Sequence, residues 1–200
     1  MLTQTKLVAA VGLLLACTLA SAAEFAKGLD AMDQGDYATA LREFRPLAEN
    51  GNARAQYRMG TLYAKGLGVP RDYKQAADWL NKAALQGNAD ARNDLGVLYD
   101  IGRGVAADPK EAARLYREAA ERGHGAAQLN LASLYQEGRG VSRDPIEAYA
   151  WANAAGELGE LRAQKLLDSV AKQMTPAQIN QAQQRADQIR QKYVLPFRQY

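Results

Sequence analysis

Leu95-Gly96-Val97-Leu98-Tyr99-Asp100-Ile101-Gly102-Arg103-Gly104-Val105-Ala106-Ala107-Asp108-Pro109 decides the fold, because its pattern occurs three times without a gap. A shift of 36 residues towards the N-terminus meets Met59-Gly60, Tyr63, Gly66-Leu67-Gly68-Val69 and Asp72. The same shift of 36 towards the C-terminus meets Leu131-Ala132, Tyr135, Gly138-Arg139-Gly140-Val141 and Asp144-Pro145. The register continues through Ala76, Ala112 and Ala148, then Trp79, Leu115 and Trp151. Ala83, Ala119 and Ala155 follow, and Gly87, Gly123 and Gly159 close the unit. Self-similarity at a fixed period of this length is the sequence mark of a repeat architecture.

Each column has a physical use. Ala55, Met59, Leu62 and Tyr63 recur at helical spacing and give the first helix of a unit one apolar face. Gly66 and Gly68 end that helix, and Val69 pins the loop onto the core. Asp72 caps a second helix with Gln75 three residues on, and Asp108 with Glu111 and Asp144 with Glu147 repeat the capping-box spacing. Pro109 and Pro145 stand at the first helical position, where a missing N–H costs nothing. One such helix pair cannot bury its apolar face alone, but stacked pairs can. The fold class expected is therefore all-α, a right-handed α/α superhelical solenoid of helix-turn-helix repeats.

These motifs resemble the Sel1-like repeat, a relative of the tetratricopeptide repeat. The resemblance covers residues 53–160, with Met59 for Leu, Ala132 for Gly and Leu115 for Trp as its departures. It divides the chain into units 53–88, 89–124 and 125–160. Residues 23–52 read as a tetratricopeptide-like N-terminal cap lacking the Gly-x-Gly-Val loop: a helix from Glu24 to Asp33, then another from Ala38 to Asn50. Residues 161–200 read as C-terminal capping helices and a basic tail. Helix is expected from Leu161 to Met174. Thr175-Pro176 then opens a helix to about Tyr193, poor in large apolar residues and expected on the surface.

Residues 1–22 read as a signal peptide. Lys6 supplies positive charge, and the apolar run Leu7–Ala20 would span roughly 21 Å as a helix, short of the ~30 Å of a bilayer core. Ala20-Ser21-Ala22 supplies small residues for cleavage, so export to the periplasm is expected. The alternative is a lipoprotein, because Leu14-Leu15-Ala16-Cys17 resembles a lipobox; only a lipidated Cys17 would attach the chain to a membrane.

Composition narrows the function. Of 200 residues, 39 are alanine, which suits close helix stacking and disfavours sheets. The net charge of +3 is too small to suggest nucleic acid. It averages two regions: residues 23–160 carry 17 basic and 20 acidic groups, whereas residues 161–200 carry 7 basic and 2 acidic ones. With only Cys17 and His124, no metal site, cofactor or disulfide framework is expected. His124 occupies the turn column of Asn52 and Asn88. The Gly-x-Gly pairs follow a helix and lack the P-loop lysine, so they do not read as phosphate loops.

The sequence therefore reads as a non-enzymatic, monomeric scaffold that binds an envelope protein or peptide. The resemblance implies that the first helix of each unit lines a concave face. Opposite the core these helices carry Arg54, Tyr57, Arg58 and Thr61; then Asp90, Asn93, Asp94 and Val97; then Leu129, Asn130 and Ser133. One reading of the charges is a ladder of ion pairs, Arg54 to Asp90 and Arg58 to Asp94. The other is a charge-graded groove with Tyr57 and Leu129 as apolar anchors for a partner. Two alternatives differ in class. One is an envelope hydrolase, since some cysteine-rich relatives carry a β-lactamase label, although the cysteine-free mature chain gives it no support. The other is a membrane- or polymer-associated role of the basic tail.

Overall fold

The computed structural model describes residues 21–197, so most of the expected signal peptide (1–22), with Cys17, and residues 198–200 lie outside the described residues. Every regular element among the described residues is helical. These are α1 (residues 21–33), α2 (Tyr37–Glu49), α3 (Ala53–Lys65), α4 (Tyr73–Leu85) and α5 (Ala89–Ile101). Then follow α6 (Pro109–Ala120), α7 (Gly125–Glu137), α8 (Pro145–Glu157), α9 (Ala163–Ala171), α10 (Pro176–Tyr193) and a 3-10 turn, Leu195–Phe197. They form two compact units, one ending at Lys82 and the other starting at Ala83.

In the N-terminal unit, α1 packs on α2 through Phe25 and Phe44, whose ring centroids lie 5.3 Å apart. The pair α2–α3 is tied by two polar links. Gln56 Nε2 donates to the Ala48 carbonyl at 3.0 Å, and Arg45 donates to the Tyr63 hydroxyl at 3.1 Å. Gly60 lets α3 approach α4: a Cβ there would lie 2.7 Å from Leu80 Cγ.

The C-terminal unit repeats these devices. Arg92 Nε donates to the Ala84 carbonyl at 3.2 Å, and Gln128 Nε2 to the Ala120 carbonyl at 3.1 Å, so residues 56, 92 and 128 each reach back eight residues. Arg117 donates to the Tyr135 hydroxyl at 2.7 Å, as Arg45 does to Tyr63. Gly96 accepts the Tyr116 ring, where a Cβ would meet Cε1 at 2.7 Å. A continuous core joins Leu131, Leu134 and Trp151 to Ile189 and Val194, with alanines filling the helix contacts.

The second glycine of the first and third loops does two jobs. Gly68 and Gly140 have φ of +71° and +68°, where L-residues are strained. A Cβ on Gly140 would also lie 2.0 Å from the Pro109 carbonyl oxygen, and one on Gly68 would lie 2.8 Å from that of Tyr37. The loop therefore rests directly on the first turn of the preceding second helix.

The capping boxes form only in part. Asp108 accepts from the Lys110 and Glu111 amides, and Asp144 from those of Ile146 and Glu147. The glutamates do not close the box, because the cap amides are already used: Asp108 donates to the Tyr99 carbonyl and Asp144 to that of Tyr135, each at 2.9 Å. Glu111 instead pairs with Arg114 and Glu147 with Arg185, each at 2.6 Å. Thr175 and Gln178 make both halves.

Two expectations about the C-terminus are corrected. The helix after the third unit runs only from Ala163 to Ala171, because residues 161–162 and 172–174 form turns. α10 lies on the surface but is docked along one side. It lies along α8 and buries Ala182, Ala186 and Ile189. Tyr193 stacks on Trp151 at 5.6 Å, and Arg190 pairs with Glu157 at 2.9 Å. Phe197 lies over Gly123, where a Cβ would come within 2.6 Å of it. The sparse large residues of α10 misled the reading: alanines allow the helix to sit close, and its few large side chains all point one way.

Gly159 also has a positive φ, +92°, but nothing lies within 4 Å of its missing Cβ. Gly159→Ala should therefore cost about 1 kcal/mol in urea unfolding, and Gly140→Ala clearly more. Equal losses would remove the close-approach argument. Ending the chain after Met174 in a Trp79→Phe background should red-shift the emission of Trp151, which is 3% exposed in the docked state. An unchanged spectrum would mean that α10 does not cover it.

Candidate protein-binding face

The first helices α3, α5 and α7 start alike. Asn52, Asn88 and His124 each turn a side-chain acceptor onto the amide three residues ahead, at 3.0, 2.7 and 3.1 Å. His124 therefore caps through Nδ1, which places its ring proton on Nε2, 3.2 Å from Asp90 Oδ1. The imidazole is a helix cap bonded to a carboxylate of the predicted face, with no nucleophile in the arrangement.

In the N-terminal unit, Arg54 and Arg58 lie over aromatic rings. The Arg54 guanidinium sits 4.4 Å from the Phe25 centroid, and that of Arg58 5.5 Å from the Tyr57 centroid. Thr61 donates its hydroxyl to the Tyr57 carbonyl at 3.0 Å. Cation–π contact holds both arginines in place.

In the C-terminal unit the face is a line of amides. Asn130 Nδ2 donates to Asn93 Oδ1 at 3.0 Å, and Asn93 Nδ2 donates to Asp94 Oδ1 at 3.1 Å. Ser133 donates to the Leu129 carbonyl at 3.0 Å, the same back-bond that Thr61 makes, so its oxygen still accepts. Val97 is half-buried against the core. Asn93 is buried at 8% exposure, and its amide orders its neighbours rather than projecting.

Leu129 is not the free apolar anchor expected. It is 4% exposed and packs on Ala155, Ala163 and Leu166. It instead floors a cleft of about 420 Å³ between α7 and α9, walled by Asn130 and Ser133 on one side. Arg162, which precedes α9, and Lys165, Leu166 and Ser169 of α9 form the other side. These four residues were missed because residues 161–200 read only as a cap. The signal was present: one more step of 36 carries Ala126, Leu129, Asn130 and Ser133 onto Arg162, Lys165, Leu166 and Ser169. The same step carries Ala127 onto Ala163, and both are fully buried. α9 is thus the first helix of a fourth, degenerate unit whose Gly-x-Gly loop is absent.

The comparisons agree with this geometry. The Sel1 repeat pattern matches residues 53–88, 89–124 and 125–160. The chain belongs to the Sel1 repeat family. It is similar to the crystal structure of a Sel1 repeat protein from Oxalobacter formigenes, with 34% identity and a TM-score of 0.68, over 72% of this chain and 59% of that one. It is also similar to c5321, a protective antigen present in uropathogenic Escherichia coli strains and displaying an SLR fold. There the identity is 30% and the TM-score 0.62, over 87% of this chain and 46% of that one. The chain thus spans about half the length of these structures. No curated protein gives a match. The all-α solenoid class is that of the family, and Sel1 repeats generally mediate protein–protein interactions.

The cap role of His124 makes a simple prediction. His124→Asn, which restores the residue of the other two units, should unfold within about 0.5 kcal/mol of the wild type, whereas His124→Ala should lose about 1 kcal/mol. Equal losses in thermal or urea unfolding would show that Nδ1 is not the cap.

Proposed function

We propose that the chain is a non-enzymatic scaffold of the bacterial cell envelope that holds a peptide or helix of a partner protein on its first-helix face. The observation that carries this reading is the face of α5, α7 and α9. There Asn130, Ser133 and Ser169 stand beside a cleft with an apolar floor, and the buried Asn93 holds Asn130 in place. Such a surface suits a polypeptide, whose backbone needs polar partners and whose side chains need apolar seats. Among the described residues no three His, Cys, Asp or Glu side chains converge on a point that could hold a metal. Export is supported by the leader read in residues 1–22, with a lipidated Cys17 as the alternative anchor. A membrane role for the tail gains nothing from its packing, because the apolar side of α10 is spent on α8.

Photo-crosslinking in the intact cell tests this. A crosslinking residue at Tyr57 or Asn130 should capture a discrete envelope protein. One at Lys110, exposed on α6, should not. Capture from Lys110 alone, or from none of the three, would overturn the reading.

A further inference from the structure

The α7–α9 cleft carries a charge signature of its own. Arg162 and Lys165 stand at its edge, both exposed, and neither side chain makes a hydrogen bond or ion pair with any described residue. The carboxylate nearest in the lining, Glu137, is already engaged by Arg139 at 2.5 Å. Most other arginines of the C-terminal unit are spent: Arg92 on Glu118, Arg114 on Glu111, Arg139 on Asp100, Arg185 on Glu147 and Arg190 on Glu157. Two neighbouring cations left over above the apolar pair Leu129 and Leu166 call for a ligand with negative charge beside an apolar group. Gln136 and Ser169, bonded across the cleft at 2.9 Å, join its two walls. Fixed walls mean that little ordering has to be done on binding.

We propose that this cleft is a subsite for an acidic peptide segment, which seats an aliphatic side chain on Leu129 and Leu166 and places flanking Asp or Glu carboxylates on Arg162 and Lys165. The proposal rests on the first-helix face being a protein-binding surface, and it deepens that reading by fixing the chemistry of the partner at this end. A carboxylate here gains charge-assisted hydrogen bonds without displacing an existing ion pair. Basic peptides would meet two like charges and be refused, so the cations contribute discrimination and association rate as well as affinity.

The test uses the full chain and immobilised peptides Gly-X-Leu-X-Leu-X-Gly in which X is Asp, Glu, Asn or Lys. Asp and Glu peptides should bind at least about tenfold tighter than Asn or Lys ones, and their affinity should fall with added salt. Arg162→Glu with Lys165→Glu should abolish that preference. Lys74→Glu with Lys110→Glu, which changes net charge equally at exposed positions elsewhere, should leave it intact. Thermal unfolding of both double variants should match the wild type, since neither pair of side chains is buried. Failure of the acidic peptides to bind, equal binding of the lysine series, or an unchanged preference in the Arg162/Lys165 variant would overturn the proposal. So would capture of phosphatidylglycerol vesicles with no preference among peptides. If Asn130 still crosslinks a partner in the cell after such a result, the scaffold reading stands and only the acidic subsite falls.

Discussion

The structure depends on how closely one helix pair can approach the next. The closest contacts are made where a side chain is missing. Gly140 lets its loop touch the Pro109 carbonyl, Gly96 takes the face of Tyr116, and Gly60 takes Leu80. Dispersion and apolar burial fall away steeply with separation, so a single methyl group at these points would push the stack apart along its whole contact. This explains why so much of the core is alanine. Most of the completely buried residues are alanines, and the helices themselves come together around them.

Polar links keep the close stack in register. Apolar contact between alanine-rich helices has little direction of its own. The eight-residue reach of Gln56, Arg92 and Gln128 onto a carbonyl of the preceding helix end has a fixed length and angle. The arginine-to-tyrosine bonds at residues 45 and 63, and at 117 and 135, act at the opposite end of the helix pair. A slipped register would leave buried carbonyls and hydroxyls unpaired, which costs more than the links contribute when made.

The same economy of charge shapes the binding face. Most arginines of the C-terminal unit are committed to carboxylates or carbonyls that hold the repeats and the docked α10 together. The side chains of Arg162, just before α9, and Lys165 on it are uncommitted, and they stand beside Asn130 and Ser133 of α7. A face made from equivalent positions of successive helices can change its chemistry from rung to rung while the core beneath it stays constant. Fold and binding preference are separable in this architecture for that reason.

Helix type, helix order, caps and the loop glycines were legible in the sequence because they are local and repeat. Asp108, Asp144 and Thr175 needed only their neighbours to be understood. So did the column of Asn52, Asn88 and His124, although its capping role showed only in the bond each side chain makes. What failed in the reading depended on contact between distant segments. Leu129 looked exposed on a helical wheel, and only the arrival of α9 buries it. α10 looked like a solvated helix, and only the flat face of α8 with Trp151 gives its alanines something to pack on. Glu111 and Glu147 sit at capping-box spacing, yet the amides they would take are donated to the Tyr99 and Tyr135 carbonyls of the preceding helices. By itself the sequence determined that helix pairs stack every 36 residues, since period and backbone geometry are intrinsic to the chain. Tertiary structure alone decided which side chains remain unpaired on the outer face, because charge neutralisation is settled by whichever groups folding brings within a few ångströms of one another.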